Sequence, residues 1–454
     1  MNSYTHIYFI GIGGIGMSAL ARYFHAKKCV VAGYDKTSSQ LTSSLIKEGI
    51  EVSFKENFIP NWVLENENTL IVYTPAVSEN HFQLNFFRSN NYEIKKRSEV
   101  LGIISQNKFT IAVAGTHGKT TTSTILAHLL DSSSVGCTAF LGGISSNYNS
   151  NLLLSSNDIV VVEADEYDKS FLQLKPDIAI ITSVDPDHLD VYKDSQDFKN
   201  TFIEFAKNVK PDGLIILNKS TGLDLSNLLD KNVQTYSALE KADHYAYNFR
   251  KKDNKQMFDV KIYGSLENEI LIEELSLSLP GEHNIENALS TIIIANRLGV
   301  SKKEISKAFS SFKGIKRRFE IHQNNDYVFI DDYAHHPQEI KATLLSAKTF
   351  FPNKKMTVVF QPHLFSRTND FFVEFGQSLS IADEVILLDI FPAREQPIKD
   401  VDSSLILDKV NCNQKNILSK KELLNSLKDK RDLLITLGAG DISKLVEPIN
   451  SIYL

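Results

Sequence analysis

Short apolar runs alternate with segments of helical spacing along most of the chain. In the first hundred residues, apolar runs at Ile7–Ile10, Val30–Gly33 and Leu70–Tyr73 predict strands, and the helical pattern Ser18–His25 follows the first of them. Strands and helices in this order are typical of a parallel sheet with helices packed on its faces. The N-terminal part of the chain is therefore predicted to be an α/β domain.

The same alternation returns twice further along the chain. A second series of strands and helices begins at Phe109 and a third near Glu320, and the polar segment 97–108 and the basic segment Phe312–Phe319 read as the connections between them. Residues 240–280 differ, because polar and apolar positions alternate there as in antiparallel strands. We predict three α/β domains, over residues 1–107, 108–316 and 317–454.

The composition of the chain mainly excludes certain classes of protein. The 454 residues are 42% hydrophobic and 23% charged, with a formal net charge of −6, which is ordinary for a globular protein. A nucleic-acid or membrane-surface protein would carry a basic footprint instead. The sequence shows no secretory signal pattern and no apolar run of the ~18 residues that cross a membrane. We expect a cytoplasmic enzyme without nucleic-acid partners or membrane insertion, and no pattern indicates its oligomeric state.

The first glycine cluster, Gly11–Gly16, lies between a predicted strand and a predicted helix. It fits G-x-G-x-x-G, in which missing β-carbons let a diphosphate approach a helix N-terminus. Asp35 ends the next predicted strand, at the position of the acid in dinucleotide-binding folds. The pattern indicates a diphosphate without identifying the rest of the ligand, so NAD, a UDP-sugar and a merely tight turn are all compatible with it.

The second glycine cluster, Gly115–Thr121, also joins a predicted strand to a predicted helix. Val113 stands where a full G-x-x-x-x-G-K-[ST] pattern has its first glycine, so the loop is a shorter variant. Its mechanics are unchanged: backbone amides surround phosphates, Lys119 supplies a positive charge and the Thr120 hydroxyl can bind Mg²⁺. We assign to ATP Gly115, Thr116, His117, Gly118, Lys119, Thr120 and Thr121.

Acidic residues follow the next buried strand. Glu163 is the first acid after the apolar run and is the favoured metal ligand, because Mg²⁺ takes carboxylate oxygens together with substrate phosphates. Asp165, Glu166 and Asp168 are either further ligands or solvated loop acids. His188, which follows another strand and has acidic neighbours, is a candidate ligand as well as an ordinary loop histidine.

Further polar candidates lie later in the chain. Asn284 and Asn287 are three residues apart in a predicted helix, so they share a face and could read an adenine edge, although Asn284 could also be a helix cap. The remaining candidates follow the hinge or predicted strands of the third domain, and the arginines among them could equally be surface charges; they are Arg317, Arg318, Asp331, Asp332, His335, His336 and Arg367.

These motifs together resemble the Mur ligases, which build the peptide stem of peptidoglycan. The resemblance covers nearly the whole chain in order and is closest to the alanine-adding branch. It rests on HIYFIGIGGIGMSALARYF, AGTHGKTTTS, EADEYDKSFL, SVDPDHLD, LPGEHNIENAL, GIKRRFE, DDYAHHPQE, QPHLFSRT and FPAREQPI.

The resemblance implies a Rossmann-like domain for a UDP-substrate, a P-loop-type ATPase domain and a Rossmann-like domain for an amino acid. It assigns the UDP-substrate to Gly13, Gly14, Ile15, Gly16, Met17, Asp35, Thr74, Pro75 and Ala76. It places ATP also at Asn284, Asn287, Arg318 and Asp332, a metal at Thr120, Glu163 and His188, and the amino acid at His335, His336 and Arg367. The implied catalytic residues are Lys119, Glu163 and His188.

The implied reaction joins L-alanine to the carboxylate of UDP-N-acetylmuramate through an acyl phosphate, with ATP and Mg²⁺ or Mn²⁺. Sister ligases carry a carbamylated lysine where this chain has Phe202, so none is expected here. Three alternatives stay open: a ligase that attaches an intact tripeptide to the same sugar, an NAD-dependent oxidoreductase and a non-catalytic UDP-sugar sensor.

Overall fold

The computed structural model describes residues 4–66, 68–185, 192–226, 228, 230–252, 255–264, 268–323, 326–393 and 395–453. Contacts divide the chain into two compact units: the first comprises residues 1–252, 256–277 and 282–313, and the second is essentially 314–454. The first unit contains two sheets and the second unit one, and all three are covered by helices. The prediction of an α/β fold is confirmed.

The N-terminal sheet is wholly parallel, in the order β3-β2-β1-β4-β5. Its strands are β1 His6–Ile10, β2 Val30–Tyr34, β3 Glu51–Ser53, β4 Leu70–Tyr73 and β5 Ile94–Lys96. Its helices are α1 Ile15–Ala26, α2 Gln40–Lys47, α3 Asn61–Leu64, α4 Phe82–Ser89 and α5 Arg97–Ser105. The expectation of a connecting segment over 97–108 is wrong for most of its length, because the apolar residues Val100, Leu101 and Ile104 are buried on α5.

The central sheet has ten strands in the order β15-β14-β13-β12-β11-β10-β6-β9-β7-β8. The strands are β6 Phe109–Ala114, β7 Thr138–Ser145, β8 Ser150–Leu153, β9 Ile159–Glu163, β10 Ile178–Ile181, β11 Leu214–Asn218, β12 Asn232–Ser237, β13 His244–Lys252, β14 Lys255–Tyr263 and β15 Glu269–Leu277. The helices are α6 Lys119–Asp131, α7 Ser195–Lys207, α8 Glu282–Arg297 and α9 Lys302–Ser311. Strand β6, which leads into the second glycine cluster, is paired with parallel neighbours on both sides.

The N-terminal and central sheets share an apolar core. Helix α1 packs against β7 and β8, and the rings of Tyr23 and Phe140 lie 5.4 Å apart. Phe202 is fully buried in this core beside Phe171 and Phe198. Because α1 begins at Ile15, within the first glycine cluster, this packing fixes that loop beside the central sheet.

The second unit contains a six-stranded sheet in the order β16-β17-β21-β18-β19-β20, parallel except for β16. Its strands are β16 Glu320–Gln323, β17 Val328–Asp332, β18 Met356–Phe360, β19 Glu384–Leu387, β20 Gln414–Ile417 and β21 Leu433–Leu437. Its helices are α10 Pro337–Phe350, α11 Phe365–Leu379, α12 Ser404–Leu407, α13 Lys420–Ser426 and α14 Val446–Tyr453. Asp331 and Asp332 are the last residues of β17, whereas the apolar pattern had placed them after it.

Within the described residues, no helix combines the length and apolar character that a membrane crossing requires.

Candidate active site

The first glycine cluster forms a turn that Asp35 holds in place. The Gly13 amide donates a hydrogen bond of 2.8 Å to Oδ2 of Asp35, and a β-carbon on Gly13 would lie only 2.7 Å from that oxygen. Gly14 is the N-cap of α1. The carboxylate of Asp35 therefore shapes the loop, and its direct contact with a substrate remains a prediction.

The neighbours of this turn include several predicted substrate residues. The Thr74 methyl lies against Gly11, and the following Pro75 and Ala76 are exposed at the carboxyl end of β4. Ile15 is 36% exposed, but Met17 is buried, so any contribution of Met17 to binding comes from its backbone.

Arg97, at the start of α5, lies against Gly16. A β-carbon on Gly16 would come within 2.9 Å of Arg97 Cδ, so a larger residue there would displace the arginine side chain. The Arg97 guanidinium donates to the Asp165 carboxylate at 3.3 Å. The first glycine cluster is thus connected through Arg97 to the acidic segment that follows β9.

The second glycine cluster is attached to the end of β10. Gly115 has a φ of +137°, and a β-carbon there would lie 2.0 Å from Thr182 Oγ1. The His117 amide donates to Ser183 Oγ at 2.7 Å, and the Thr116 hydroxyl donates to the Asp185 carbonyl at 2.9 Å. Helix α6 begins at Lys119 directly after this turn, so its N-terminal amides open toward the loop, as at other phosphate sites. Thr121 lies half-buried in the first turn of α6.

The Lys119 ammonium is held by the loop and by a buried carboxylate. Nζ donates to the carbonyl oxygens of Gly115 at 2.7 Å and Thr116 at 3.3 Å. It also donates to Glu166 Oε1 at 2.8 Å and lies 2.7 Å from Oε2. Glu166 is 1% exposed, and burial raises its pKa, although the nearby ammonium opposes that shift.

Glu163, the last residue of β9, faces the start of α6. Its Oε1 accepts a hydrogen bond of 3.1 Å from the Thr120 hydroxyl, and its Oε2 accepts one of 3.0 Å from the Gly142 amide. A β-carbon on Gly142 would come within 2.2 Å of both carboxylate oxygens. The hydroxyl and carboxylate are oxygen donors of the kind that Mg²⁺ prefers, so these residues fit a metal site. His188, the third predicted ligand, lies outside the described residues.

The predicted adenine residues lie together beside the second glycine cluster. Asn284 and Asn287 are both buried on α8, and Asn287 Nδ2 donates to Asn284 Oδ1 at 3.3 Å. Asn287 Oδ1 lies 2.5 Å from where a β-carbon on Gly118 would be. The two amides are thus brought to the phosphate-binding turn.

In the second unit, the two hinge arginines have different surroundings. Arg317 donates from Nε to the fully buried Asp331 at 3.0 Å, which gives it a structural role. Arg318 is exposed, with its guanidinium 5.6 Å from the Tyr333 ring centroid. Asp332 accepts backbone hydrogen bonds of 2.7 Å from Phe319 and Ala334, and burial raises its pKa to about 6 while Arg318 opposes the shift.

A second cluster of the same unit contains the predicted amino-acid residues. The rings of His335 and His363 lie 6.1 Å apart, and burial lowers the pKa of both, that of His363 to about 4. The positive charge of Arg367 contributes to both shifts. Arg367 Nη1 is buried, and among the described residues it has no hydrogen-bond partner. This cluster can therefore receive an anion.

Local backbone geometry builds this cluster. Leu364 has a φ of +73°, an uncommon conformation for a branched residue, and it turns the chain from β18 into α11 between His363 and Arg367. His336 is the N-cap of α10, and its ring packs 5.1 Å from that of Phe371, so its side chain has a packing contact in addition to any ligand role.

Sequence reasoning missed three contributors. By sequence Glu166 fits a ligand and a solvated acid equally well, yet it is buried against Lys119. Arg97 falls within the predicted connecting segment, and His363 belongs to the same motif as Arg367 but is not among the predicted residues. Only the position of Glu166 beside the favoured metal ligand gave a usable signal.

Three family models match successive parts of the chain. They are the Mur ligase family, catalytic domain, over residues 6–109, the Mur ligase middle domain over 113–295 and the Mur ligase, glutamate ligase domain, over 317–440. Together these models cover most of the sequence in the order in which the three sheets occur.

Full-length relatives give the same result. A UDP-N-acetylmuramate–L-alanine ligase of Christiangramia forsetii is 46% identical over 100% of this chain and 99% of its own, and one of Porphyromonas gingivalis is 48% identical over 98% of each. The solved structure of a UDP-N-acetylmuramate–alanine ligase from Thermotoga maritima matches with a TM-score of 0.80 at 28% identity, covering 98% of both chains. The chain belongs to the Mur ligase family and is a ligase.

Proposed function

We propose that this ligase joins L-alanine to the carboxylate of UDP-N-acetylmuramate at the expense of ATP, as a cytoplasmic step in peptidoglycan precursor synthesis. The observation that carries the proposal is the acidic segment after β9, because Asp165 contacts Arg97 beside the first glycine cluster and Glu166 contacts Lys119 of the second. One compact unit thereby connects a candidate diphosphate site to a candidate ATP site. The full-length relatives, named for these two substrates, support the choice of substrates.

The chemistry proceeds in two steps. A carboxylate is a poor acyl donor, so its oxygen first attacks the γ-phosphorus of ATP; the bond between the β- and γ-phosphates breaks, and ADP leaves. The amine of L-alanine then attacks the acyl phosphate carbon, the amine loses a proton, and phosphate is expelled. The protein mainly positions the reactants and offsets charge. Lys119 and the amides at the N-terminus of α6 are the groups proposed to hold the phosphates.

A divalent cation is part of the proposal. Thr120 and Glu163 would hold Mg²⁺, together with His188 by family resemblance, and Mn²⁺ would suit the same donors. The cation would offset the negative charge of the nucleotide phosphates. Asn284, Asn287, Arg318 and Asp332 are proposed contacts of the nucleoside.

The second unit is proposed to recognise the amino acid. Nη1 of Arg367, which has no hydrogen-bond partner within the described part of the chain, suits the carboxylate of L-alanine, because guanidinium groups form strong charge-assisted hydrogen bonds with carboxylates. His335 and His336 are proposed to line the same site.

A panel of acceptors tests the function. Phosphate release should require ATP, UDP-N-acetylmuramate and an amino acid, and it should be fastest with L-alanine among L-alanine, glycine and L-serine. Release with the intact tripeptide and not with L-alanine would contradict the proposal and favour the recycling ligase. Membership of a ligase family already argues against the oxidoreductase interpretation of the first glycine cluster.

A further inference from the structure

Lys119 has all three of its ammonium hydrogens engaged. They go to the carbonyl oxygens of Gly115 and Thr116 and to the carboxylate of Glu166. Only 14% of the lysine side chain is exposed, so water does not replace these partners freely. Two of the three acceptors belong to the loop itself, and the third comes from a different part of the fold.

Glu166 is firmly fixed on its own side of this contact. Its carbonyl accepts a hydrogen bond from the hydroxyl of Tyr192, which is buried against the Phe198 ring at 4.7 Å. The next residues, Tyr167–Gln173, form a short 3₁₀ helix in which Asp168 and Lys169 both have a φ of +53°. The constrained backbone around Glu166 therefore holds its carboxylate in a fixed position beside Lys119.

Burial of the Lys119–Glu166 ion pair removes both charges from water, which disfavours folding. A carboxylate that is 1% exposed loses most of its hydration, and a buried ion pair often adds little net stability for that reason. Removal of one partner, by contrast, leaves an uncompensated buried charge and is strongly destabilising. Because this pair lies at the phosphate-binding turn and a buried pair of this kind often adds little stability, we infer that the Glu166 carboxylate serves to position the Lys119 ammonium.

We propose that Glu166 is a positioning residue for Lys119 in the reaction proposed above. The carboxylate keeps one ammonium hydrogen, and phosphate oxygens replace the carbonyl oxygens of Gly115 and Thr116 as acceptors of the other two. Glu166 itself touches no substrate. The carboxylate also balances the lysine charge, so its removal should affect the chemical step more than the binding of anionic ATP.

The test is a double-mutant cycle of Lys119→Met and Glu166→Gln, with Asp168→Asn as the matched control. Asp168 belongs to the same segment and pairs with Lys96 at 2.9 Å, but its side chain is 38% exposed and the pair does not involve Lys119. Lys119→Met should lower the apparent unfolding midpoint of the first unit by about 5 °C, and Glu166→Gln in that background should recover most of the loss. Asp168→Asn should change the midpoint by less than about 2 °C.

Kinetics distinguish positioning from a merely structural role. Glu166→Gln should lower kcat by roughly 10- to 100-fold with less than a threefold rise in the KM for ATP, and it should cost nothing further in the Lys119→Met background. A kcat within twofold of wild type, or independent effects of the two substitutions, would overturn the proposal. Should Glu166→Gln fail to fold, Glu166→Asp replaces it, since a shortened carboxylate with wild-type kcat would also overturn the proposal.

The double-mutant cycle of unfolding midpoints can be measured without an acceptor substrate. The rise in the unfolding midpoint that ATP produces can be measured without one as well. Both therefore test the Lys119–Glu166 pair separately from the acceptor panel, which tests the proposed function.

Discussion

Asp332 is a buried carboxyl group of the second unit, and burial disfavours its charged form. Burial raises its pKa from 3.8 to about 6 in spite of Arg318 and two backbone hydrogen bonds. The folded protein thus binds this proton more tightly than the unfolded chain does. The contribution of Asp332 to stability is therefore complete below about pH 4 and is lost as the pH rises through about 6.

Asp332→Asn provides the comparison, because the amide does not ionise. The free energy of unfolding of wild type minus that of Asp332→Asn should fall by about 2 kcal/mol between pH 4.5 and pH 7. Urea titrations of both proteins at the two pH values measure this difference. A difference that stays constant or grows with pH would show that Asp332 is not held in its neutral form.

At the residue scale, prediction from sequence succeeded where position in the chain determines surroundings. Glu163 directly follows an apolar run, so its place at the end of β9 beside Thr120 could be anticipated. Glu166 could not be told from a solvated acid, because its burial depends on Tyr192 and Lys119, which are distant in sequence. The sequence likewise does not distinguish Arg317 from Arg318, because the ion pair between Arg317 and Asp331 forms only in the folded protein.

Helix α1 is attached to the central sheet by a buried polar network. Asn151 of β8 is fully buried, and its Nδ2 donates to the Ile15 carbonyl at 2.6 Å and to Ser18 Oγ at 2.9 Å. Its Oδ1 accepts from Arg22, whose guanidinium also pairs with Glu48 at 2.7 Å. The network holds the N-terminal turn of α1, where the UDP-substrate diphosphate is proposed to bind.

Asn151→Ala should loosen this turn and leave buried groups unpaired. We expect a loss of about 1–3 kcal/mol in unfolding free energy and a rise in the KM for UDP-N-acetylmuramate, with the KM for L-alanine unchanged. Asn90→Ala is the control for a generic amide loss, because Asn90 is exposed and its side chain donates to the Phe86 carbonyl of the preceding helix α4. Equal KM values for the sugar substrate in the Asn151 variant and in wild type would contradict a role for the network in binding.

At the element scale, apolar runs located the first strands well, since β4 coincides with the predicted range and β1 and β2 each differ from theirs by one residue. Helix starts were less accurate. Helix α1 begins at Ile15, three residues before the predicted pattern at Ser18, because its first turn includes Gly16 of the first glycine cluster. Apolar periodicity indicates which face of a helix is buried, and it does not mark a helix start that a glycine turn supplies.

At the scale of the whole molecule, the sequence divides into three sheets but the structure divides into two compact units. The difference arises because the core of the first unit extends across the N-terminal and central sheets, with contacts such as Tyr23 to Phe140 between residues far apart in the chain. The alternation of strands and helices in the sequence predicts each sheet. It does not predict whether two sheets share a core, because that depends on packing between residues far apart in the chain.

Each unit has its own apolar core, so we expect calorimetry to show two unfolding transitions. Ile111→Ala and Ile330→Ala, at fully buried positions of β6 and β17, should each lower one of them and so identify it. UDP-N-acetylmuramate at about 100 times its dissociation constant should stabilise the transition lowered by Ile111→Ala by about 2.7 kcal/mol, because all its proposed contacts lie in the first unit. L-alanine should stabilise the transition lowered by Ile330→Ala. If UDP-N-acetylmuramate raised only that second transition, the assignment of the sugar nucleotide to the first glycine cluster would be wrong.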